Sequence, residues 1–145
     1  MADFVFNIAK GRVAHYATLP AANDALVVIP IEASGVESDA TLVDYDTVAA
    51  ILAAANNEQS TMGRKTITSV TVTVDDSNNR VDVDFDDVTW SAATGNAISD
   101  LLLAYDPDTT GGTDSDLIPL TWHDFAITPD GSDVTATVAN VYRAS

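Results

Sequence analysis

The stretch Thr66-Ile-Thr-Ser-Val-Thr-Val-Thr-Val74 alternates apolar and hydroxyl side chains, and Val81-Asp-Val-Asp-Phe-Asp86 alternates apolar and acidic ones. Alternation with a period of two is typical of a β-strand that buries one face. Between them lies Asp75-Asp-Ser-Asn-Asn79, whose residue types hydrogen-bond their own backbone and favour a turn. Together the three segments predict a β-hairpin.

A second strong signal is the apolar, β-branched run Leu26-Val-Val-Ile-Pro-Ile31. A continuous run of this length predicts a strand that is buried on both faces. Pro30 has no N–H to donate, so it predicts an edge position or a bulge at that end. Residues 97–105 fit either a strand or a short helix. Weaker strand patterns cover residues 3–8, 12–19, 88–90, 118–122, 125–128 and 133–142.

One helix is predicted, over residues 47–55, which are rich in Ala, Leu and Ile at helical spacing. Asp44 or Asp46 is the expected N-cap, since a carboxylate accepts hydrogen bonds from the first free N–H groups of a helix. Asn56-Asn57 ends the helix, because Asn tolerates the left-handed backbone found at helix C-termini.

These elements predict a mainly β fold, either a β-sandwich (a jelly roll among its forms) or a small barrel, with one short α-helix. The 145 residues suit a single domain, 1–145, because two domains of about 70 residues would each have a marginal core. Residues 1–19 are predicted to form either the first strand or an N-terminal arm. The chain has no cysteine, which excludes disulfides and thiolate metal sites.

Charge narrows the choice of partners. The chain has 22 acidic and 6 basic residues and a formal net charge of −16. Nucleic acids and anionic lipids attract clusters of Lys and Arg, so we expect neither as a partner. An environment that favours acidic proteomes explains the charge equally well. No secretory leader is recognised in residues 1–13 and no apolar run could span a bilayer, so we expect synthesis in a cytoplasm.

No catalytic motif is found, and we expect the protein not to be an enzyme. Its two histidines, His15 and His123, lie far apart in the sequence. A nucleophile elbow, a metalloprotease helix and a phosphate-binding loop are all missing. His123 lies between Trp122 and Asp124, where it is either oriented by the carboxylate or packed beside the indole.

Acidic side chains crowd two segments. In the loop over residues 106–116, Asp106, Asp108, Asp114 and Asp116 form a candidate calcium site, although Leu117 stands where a calcium-binding loop has its bidentate Glu. The alternative is a solvated loop stiffened by Asx turns, and no other cofactor is expected. In the second hairpin strand, a row comprising Asp82, Asp84, Asp86 and Asp87 indicates either a solvated face or a patch for a basic partner.

Five parts of the chain carry a further signal: Phe6-Asn-Ile-Ala-Lys-Gly-Arg12, Asn23-Asp-Ala-Leu-Val-Val28, Asp39-Ala-Thr-Leu-Val-Asp-Tyr-Asp46, Tyr105-Asp-Pro-Asp108 with Asp114-Ser-Asp116, and the closing residues 120–143. These segments resemble a family of small virion-associated structural proteins of tailed bacteriophages. The resemblance covers most of the chain and implies a virion context without defining functional residues.

Within that context we expect a decoration or cement protein on the outer surface of the head, bound to the major capsid protein and stabilising the shell. Negative charge suits the outside, because the interior holds packaged phosphate. A homotrimer is expected, since such modules sit at local symmetry positions. Four residues of the N-terminal segment are candidates for the contact with a neighbouring chain: Phe4, Phe6, Lys10 and Arg12.

The alternative is a tail, fibre or baseplate component that binds a host-surface glycan or receptor. Glycan sites combine exposed aromatic rings with carboxylates. The residues that would supply them are Tyr105, Trp122, His123 and Asp124.

Overall fold

The computed structural model describes residues 2–145, and it confirms a mainly β protein in which ten strands form three antiparallel sheets. The strands are β1 (Phe4–Val5), β2 (Ala25–Glu32), β3 (Lys65–Ile67), β4 (Val70–Asp75), β5 (Arg80–Phe85), β6 (Val88–Trp90), β7 (Ile98–Asp106), β8 (Ile118–Ile127), β9 (Val134–Ala136) and β10 (Tyr142–Ala144). Three short helices are α1 (Val13–Ala17), α2 (Asp39–Leu42) and α3 (Val48–Ala53), and a 3-10 turn spans Asn7–Ala9.

The largest sheet has five strands in the order β1-β8-β7-β2-β3. Strand β2 is buried over seven of its eight residues, as its apolar run predicts. Pro30 lies where β2 has already lost its pairing with β3, which ends at Val28, and the register against β7 shifts between Ile31 and Glu32. The shift leaves Ser99 of β7 without a partner, so an irregularity is present at this end, on the strand opposite Pro30. On the other side of β2, the Pro30 C=O accepts the Gln59 N–H at 2.9 Å.

The predicted hairpin forms two strands of a second sheet, ordered β10-β5-β4, in which β5 is the central strand. Val74 pairs with Val81 and Asp75 with Arg80, so the turn is made by residues 76–79. Asn79 takes a left-handed backbone conformation with φ 51°, which Asn tolerates better than most residues. The third sheet contains only β6 and β9.

The lengths of several predicted strands were wrong. Residues 66–74 break after Ile67, so β3 joins the five-stranded sheet while β4 joins the hairpin. Residues 133–142 also divide, into β9 and β10 of different sheets. Conversely, the two strands predicted over residues 118–122 and 125–128 form one long strand, β8 (Ile118–Ile127), whose register shifts twice against β7. Residues 97–105, whose pattern fits either a strand or a short helix, lie almost entirely in strand β7 (Ile98–Asp106).

The helices also differ from the prediction of a single one. Residues 12–19, expected as a strand or an arm, contain α1, and α2 was not anticipated. Helix α3 is present, but its N-cap is Thr47 and neither of the expected aspartates, because the Thr47 Oγ1 accepts a hydrogen bond from the Ala50 N–H at 3.1 Å. Within residues 2–145, no helix combines the length and apolar character that a membrane crossing requires.

One core joins these layers. Tyr16 of α1 stacks on Tyr105 of β7 at 4.7 Å between ring centroids, and on the N-terminal side Phe6 meets the Trp122 ring at 6.3 Å. These contacts place the 3-10 turn and α1 against the five-stranded sheet, and α1 also packs against β4 and β5 of the second sheet. Val48 and Ile51 of α3 are fully buried in the same core.

Candidate functional site

The N-terminal residues proposed for partner contact divide into two groups. Strand β1 pairs with β8, where Phe4 lies opposite Trp122 and stacks on it at 6.1 Å. Phe6 has no exposed surface, so it packs in its own chain's core and offers nothing to a neighbour. Lys10 and Arg12 are exposed, and Lys10 Nζ donates to Asn7 Oδ1 at 2.6 Å. The two cations are therefore the exposed members of this set, and Phe4 is half-buried.

The proposed glycan surface is not formed. Trp122 is fully buried and Tyr105 is 4% exposed, so neither ring can stack on a sugar in solvent. The Tyr105 hydroxyl donates a hydrogen bond to Asp24 at 2.7 Å. Burial is the larger cause, and the Asp24 carboxylate the smaller one, of a Tyr105 pKa well above its ordinary value. His123 is half-buried and Asp124 is exposed, which leaves a polar pair without aromatic partners for a sugar.

The loop aspartates proposed for calcium do not converge. Among residues 2–145, no three His, Asp or Glu side chains are grouped so that they could hold a metal ion. Asp106 and Asp108 instead accept hydrogen bonds from the N–H groups of Asp108 and Thr110, both at 3.0 Å. These are the Asx turns named as the alternative, and hydrogen bonding from Thr110 lowers the pKa of Asp108. Asp116 accepts the Thr113 N–H at 2.8 Å within the same loop.

The remaining loop carboxylate, Asp114, belongs to an ion-pair network that the sequence did not reveal. Arg64 is bound through two nitrogens by Glu58, with distances of 2.9 and 2.6 Å. Asp114 accepts two further bonds from Arg64, at 2.6 and 3.0 Å. This fork-to-fork geometry lowers the pKa of Asp114 and raises that of Arg64. Asp114 lies 50 residues from Arg64, so no local pattern could have indicated the pair.

A hydroxyl, an imidazole and a carboxylate stand in a row at the edge of the five-stranded sheet. Thr121 Oγ1 lies 2.8 Å from His123 Nε2, and His123 Nδ1 lies 3.5 Å from Asp3 Oδ2. The order matches that of a nucleophilic triad, but Thr121 is 2% exposed. Asp3 also accepts the Asp124 N–H at 2.8 Å, so the row fastens the residues before β1 to β8.

Two carboxyl groups face each other across β7 and β8, where Asp100 pairs in register with Asp124. Asp100 has no exposed surface and receives a short hydrogen bond from the Ser99 hydroxyl. Burial raises the pKa of Asp100; Ser99 and the nearby Trp122 indole oppose the rise, and Asp124 adds to it. Asp100 Oδ1 and Trp122 Nε1 are each buried without a hydrogen bond of normal geometry.

A cleft of about 290 Å³ opens beside this sheet, between Leu101 and Leu103 on one wall and Phe85 on another. The cleft is also lined by residues 136–141, from the end of β9 to the start of β10, and by Asp3 and His123. Two aspartates hold this segment in place. Asp87 accepts the Val138 N–H at 2.8 Å and Asp84 accepts the Asn140 N–H at 3.1 Å.

The four aspartates of the acidic row predicted along the second hairpin strand differ in their contacts. Asp82 is 9% exposed and binds Arg143 at 2.5 Å, with Arg80 at 3.1 Å. The hydrogen bond from Arg143 lowers the pKa of Asp82. Beyond it, Asp84, Asp86 and Asp87 form no ion pair within residues 2–145.

We call these three aspartates, with Ser69 and Thr71 beside them, the acidic corner. The same five residues line one shallow depression on the surface. The acidic corner therefore carries the uncompensated negative charge of this sheet.

Comparisons with protein-family models, with curated proteins and with solved structures found no match. The functional argument therefore begins from the side chains of this chain.

Proposed function

We propose that this chain is a structural protein of a tailed-phage virion that decorates the outer surface of the head and binds the major capsid protein. The observation that carries the proposal is the sign of the free surface charge. Three of the four arginines are bound by carboxylates: Arg64 by Glu58 and Asp114, and Arg80 and Arg143 by Asp82. The chain therefore presents an acidic exterior with few free cations.

The sign of this charge favours the outside of a head over its inside. Packaged DNA carries one negative charge for about every 1.7 Å of helix axis, and an acidic protein is repelled by it. A shell protein with basic surface loops would attract the same exterior, because complementary potentials speed association and fix orientation. The resemblance of residues 6–12, 23–28 and 120–143 to virion-associated proteins supports the same assignment.

The arrangement of polar groups supports a binding role over a chemical one. The carboxylates of the 106–116 loop stabilise turns or hold Arg64, and the hydroxyl of the Thr121–His123–Asp3 row is buried. These groups fix the shape of the molecule, which is what a module that reinforces a shell requires. A homotrimer on the shell, with Lys10 and Arg12 near the contacts, completes the proposal.

The test is to add the purified protein to virions and to tail-free heads of the source phage and to measure co-sedimentation. We expect saturable binding to heads, lost at high salt because the attraction is electrostatic. Heads carrying the protein should also withstand a higher temperature before they release DNA. Binding to isolated tails with none to heads would contradict the proposal and support the tail or fibre alternative.

A further inference from the structure

Strand β4 ends the hairpin sheet with a long unpaired edge. It has six residues and pairs only with β5, so its outer side offers free N–H and C=O groups. The strands that end the other edges of the two larger sheets are shorter, at two residues for β1 and three each for β3 and β10. Strand β4 is thus the longest open edge that these sheets present in residues 2–145.

Over residues 70–74, this edge lacks the lysine, the proline and the bulge that usually prevent strand addition. Natural edge strands carry Lys, Pro or a bulge, because an open ladder otherwise recruits other chains. Residues 70–74 contain no charge and no proline, and β4 runs against β5 without a register shift. Thr71 and Thr73 are exposed, and Val74 is the most exposed large apolar side chain in residues 2–145, at 67%.

The charges around β4 indicate what its occupant must carry. The acidic corner lies at the start of the strand, where Thr71 pairs in register with Asp84. At the other end, the turn begins with Asp75 and Asp76, and Asp75 is held by Arg80 at 3.2 Å. A segment laid along β4 therefore meets negative charge at its ends and a neutral threonine and valine surface between them. Lysine or arginine near the ends of that segment complements this pattern.

A second copy of the chain fits this edge poorly. Antiparallel pairing of β4 with β4 of another copy would set the Asp75–Asp76 end of each strand beside the acidic corner of the other. Both copies also carry a net charge of −16. Like charges placed directly opposite each other destabilise a strand pair.

We propose that the β4 edge accepts an extended, lysine- or arginine-bearing segment of another protein as an added strand. Main-chain hydrogen bonds would supply the affinity, and the acidic corner would select basic segments. That the segment belongs to the capsid shell rests on the proposed function, whereas the chemistry of the edge does not.

The probe is a synthetic eight-residue peptide that alternates valine with threonine and carries lysine near both ends. A matched peptide has glutamate in place of each lysine. Amide chemical shifts and hydrogen exchange of the whole chain are followed by NMR at low salt during titration. We expect the lysine peptide to bind at least about tenfold more tightly than the glutamate peptide. Residues 70–75 should gain the largest shift changes and protection of their amides.

A lysine at Thr71 tests the location. Thr71→Lys charges the exposed edge and places an ammonium group opposite Asp84, so the lysine peptide should lose at least about tenfold in affinity. Thr128→Lys makes the same charge change at an exposed position after β8 and should leave binding unchanged.

Equal binding by the two peptides, equal loss in both variants, or shift changes that avoid β4 would overturn the inference. Dimers joined through β4 would overturn the choice of occupant. None of these results bears on where the protein lies on the virion. A tail location would overturn the proposed function and leave the peptide result standing.

Discussion

At the scale of single residues, long-range polar pairs fix the loops of this protein. Arg64, in the segment before β3, is held by Glu58 of the same segment and binds Asp114 of the loop before β8, so it joins the two. Its side chain is 28% exposed, so solvent screens the pairs only in part. Because an ammonium group cannot make two forked contacts at once, lysine is a poor substitute for arginine here.

We therefore predict that Arg64→Lys lowers the free energy of unfolding by about 1.5 to 3 kcal/mol, the range for hydrogen bonds to charged groups. Urea unfolding followed by circular dichroism measures the change. Arg12→Lys, at an exposed position before α1, is the matched control and should unfold at the wild-type urea concentration. An unchanged midpoint for Arg64→Lys would show that the network contributes no net stability.

Asp100 gives a prediction about how stability depends on pH, because burial raises the pKa of its carboxyl above the ordinary 3.8. A carboxyl with a raised pKa in the folded state stabilises the fold fully only below its unfolded pKa, and this contribution is lost as the pH rises through the folded pKa. Asn is uncharged at every pH and avoids that loss. The Tm of Asp100→Asn relative to wild type should rise between pH 4 and pH 8, measured by calorimetry across that range. A difference independent of pH would refute the buried-charge explanation.

The burial of single aromatic side chains is the property that the sequence predicts least well. Trp122, Tyr105 and Phe6 were interpreted as surface groups, yet all three are buried. Trp122 follows a strand pattern that does not show which face is covered, and its cover is Phe4, which lies 118 residues earlier in the chain. A contact of that separation leaves no periodic signal.

At the scale of elements, alternation and turn-forming residues are sufficient to predict strands whose pairing partners are adjacent in the sequence. The β4–β5 hairpin and the doubly buried β2 were predicted correctly. The failures were short elements whose form depends on tertiary contacts. Helix α1 has five residues and α2 has four, far below the length at which a helix is stable alone. The break after Ile67 depends on which sheet each half joins, and periodicity cannot specify that.

Helix α3 offers a clean test at this scale because a single side chain caps it. Thr47→Ala removes the acceptor for the Ala50 N–H and should cost about 1 kcal/mol. Thr47→Ser retains a hydroxyl oxygen and should cost much less. Thermal unfolding of both variants separates the cap from the loss of a methyl group. Equal destabilisation by Ala and Ser would show that the hydroxyl is not the stabilising group.

Strand β10 makes a second test, because Arg143 fastens it to β5 through Asp82. The pKa of Asp82 is lowered by this contact, so its stabilising effect is present above the ordinary Asp pKa and is lost as the pH falls. In Asp82→Asn, the amides of β10 should exchange faster with deuterium at pH 7, while those of β7 stay protected. Unchanged protection of β10 would mean that its backbone pairing alone holds it.

At the scale of the whole molecule, the net charge of −16 is a source of self-repulsion as well as of solubility. Raising the ionic strength from about 0.01 M to 1 M shortens the screening length from about 30 Å to about 3 Å. The Tm should therefore rise with sodium chloride, most steeply at low concentration. A Tm that falls steadily with added salt would mean that the internal ion pairs outweigh the repulsion.

The fold class and the sign of the surface charge could both be predicted from sequence, because each is a sum over many residues. The candidate site could not, because it depends on which carboxylates are already bound. Asp82 and Asp114 are held by arginines, whereas Asp84, Asp86 and Asp87 are left at the acidic corner. The position of the acidic corner beside an open strand depends on how the three sheets are assembled.

The most direct test of the proposal that this protein decorates a phage head is cryo-electron microscopy of the purified virion. We predict density that fits this mainly β fold of three antiparallel sheets, in many copies, on the outer surface of the head. Density confined to the tail or its tip, or inside the shell against the DNA, would contradict the account.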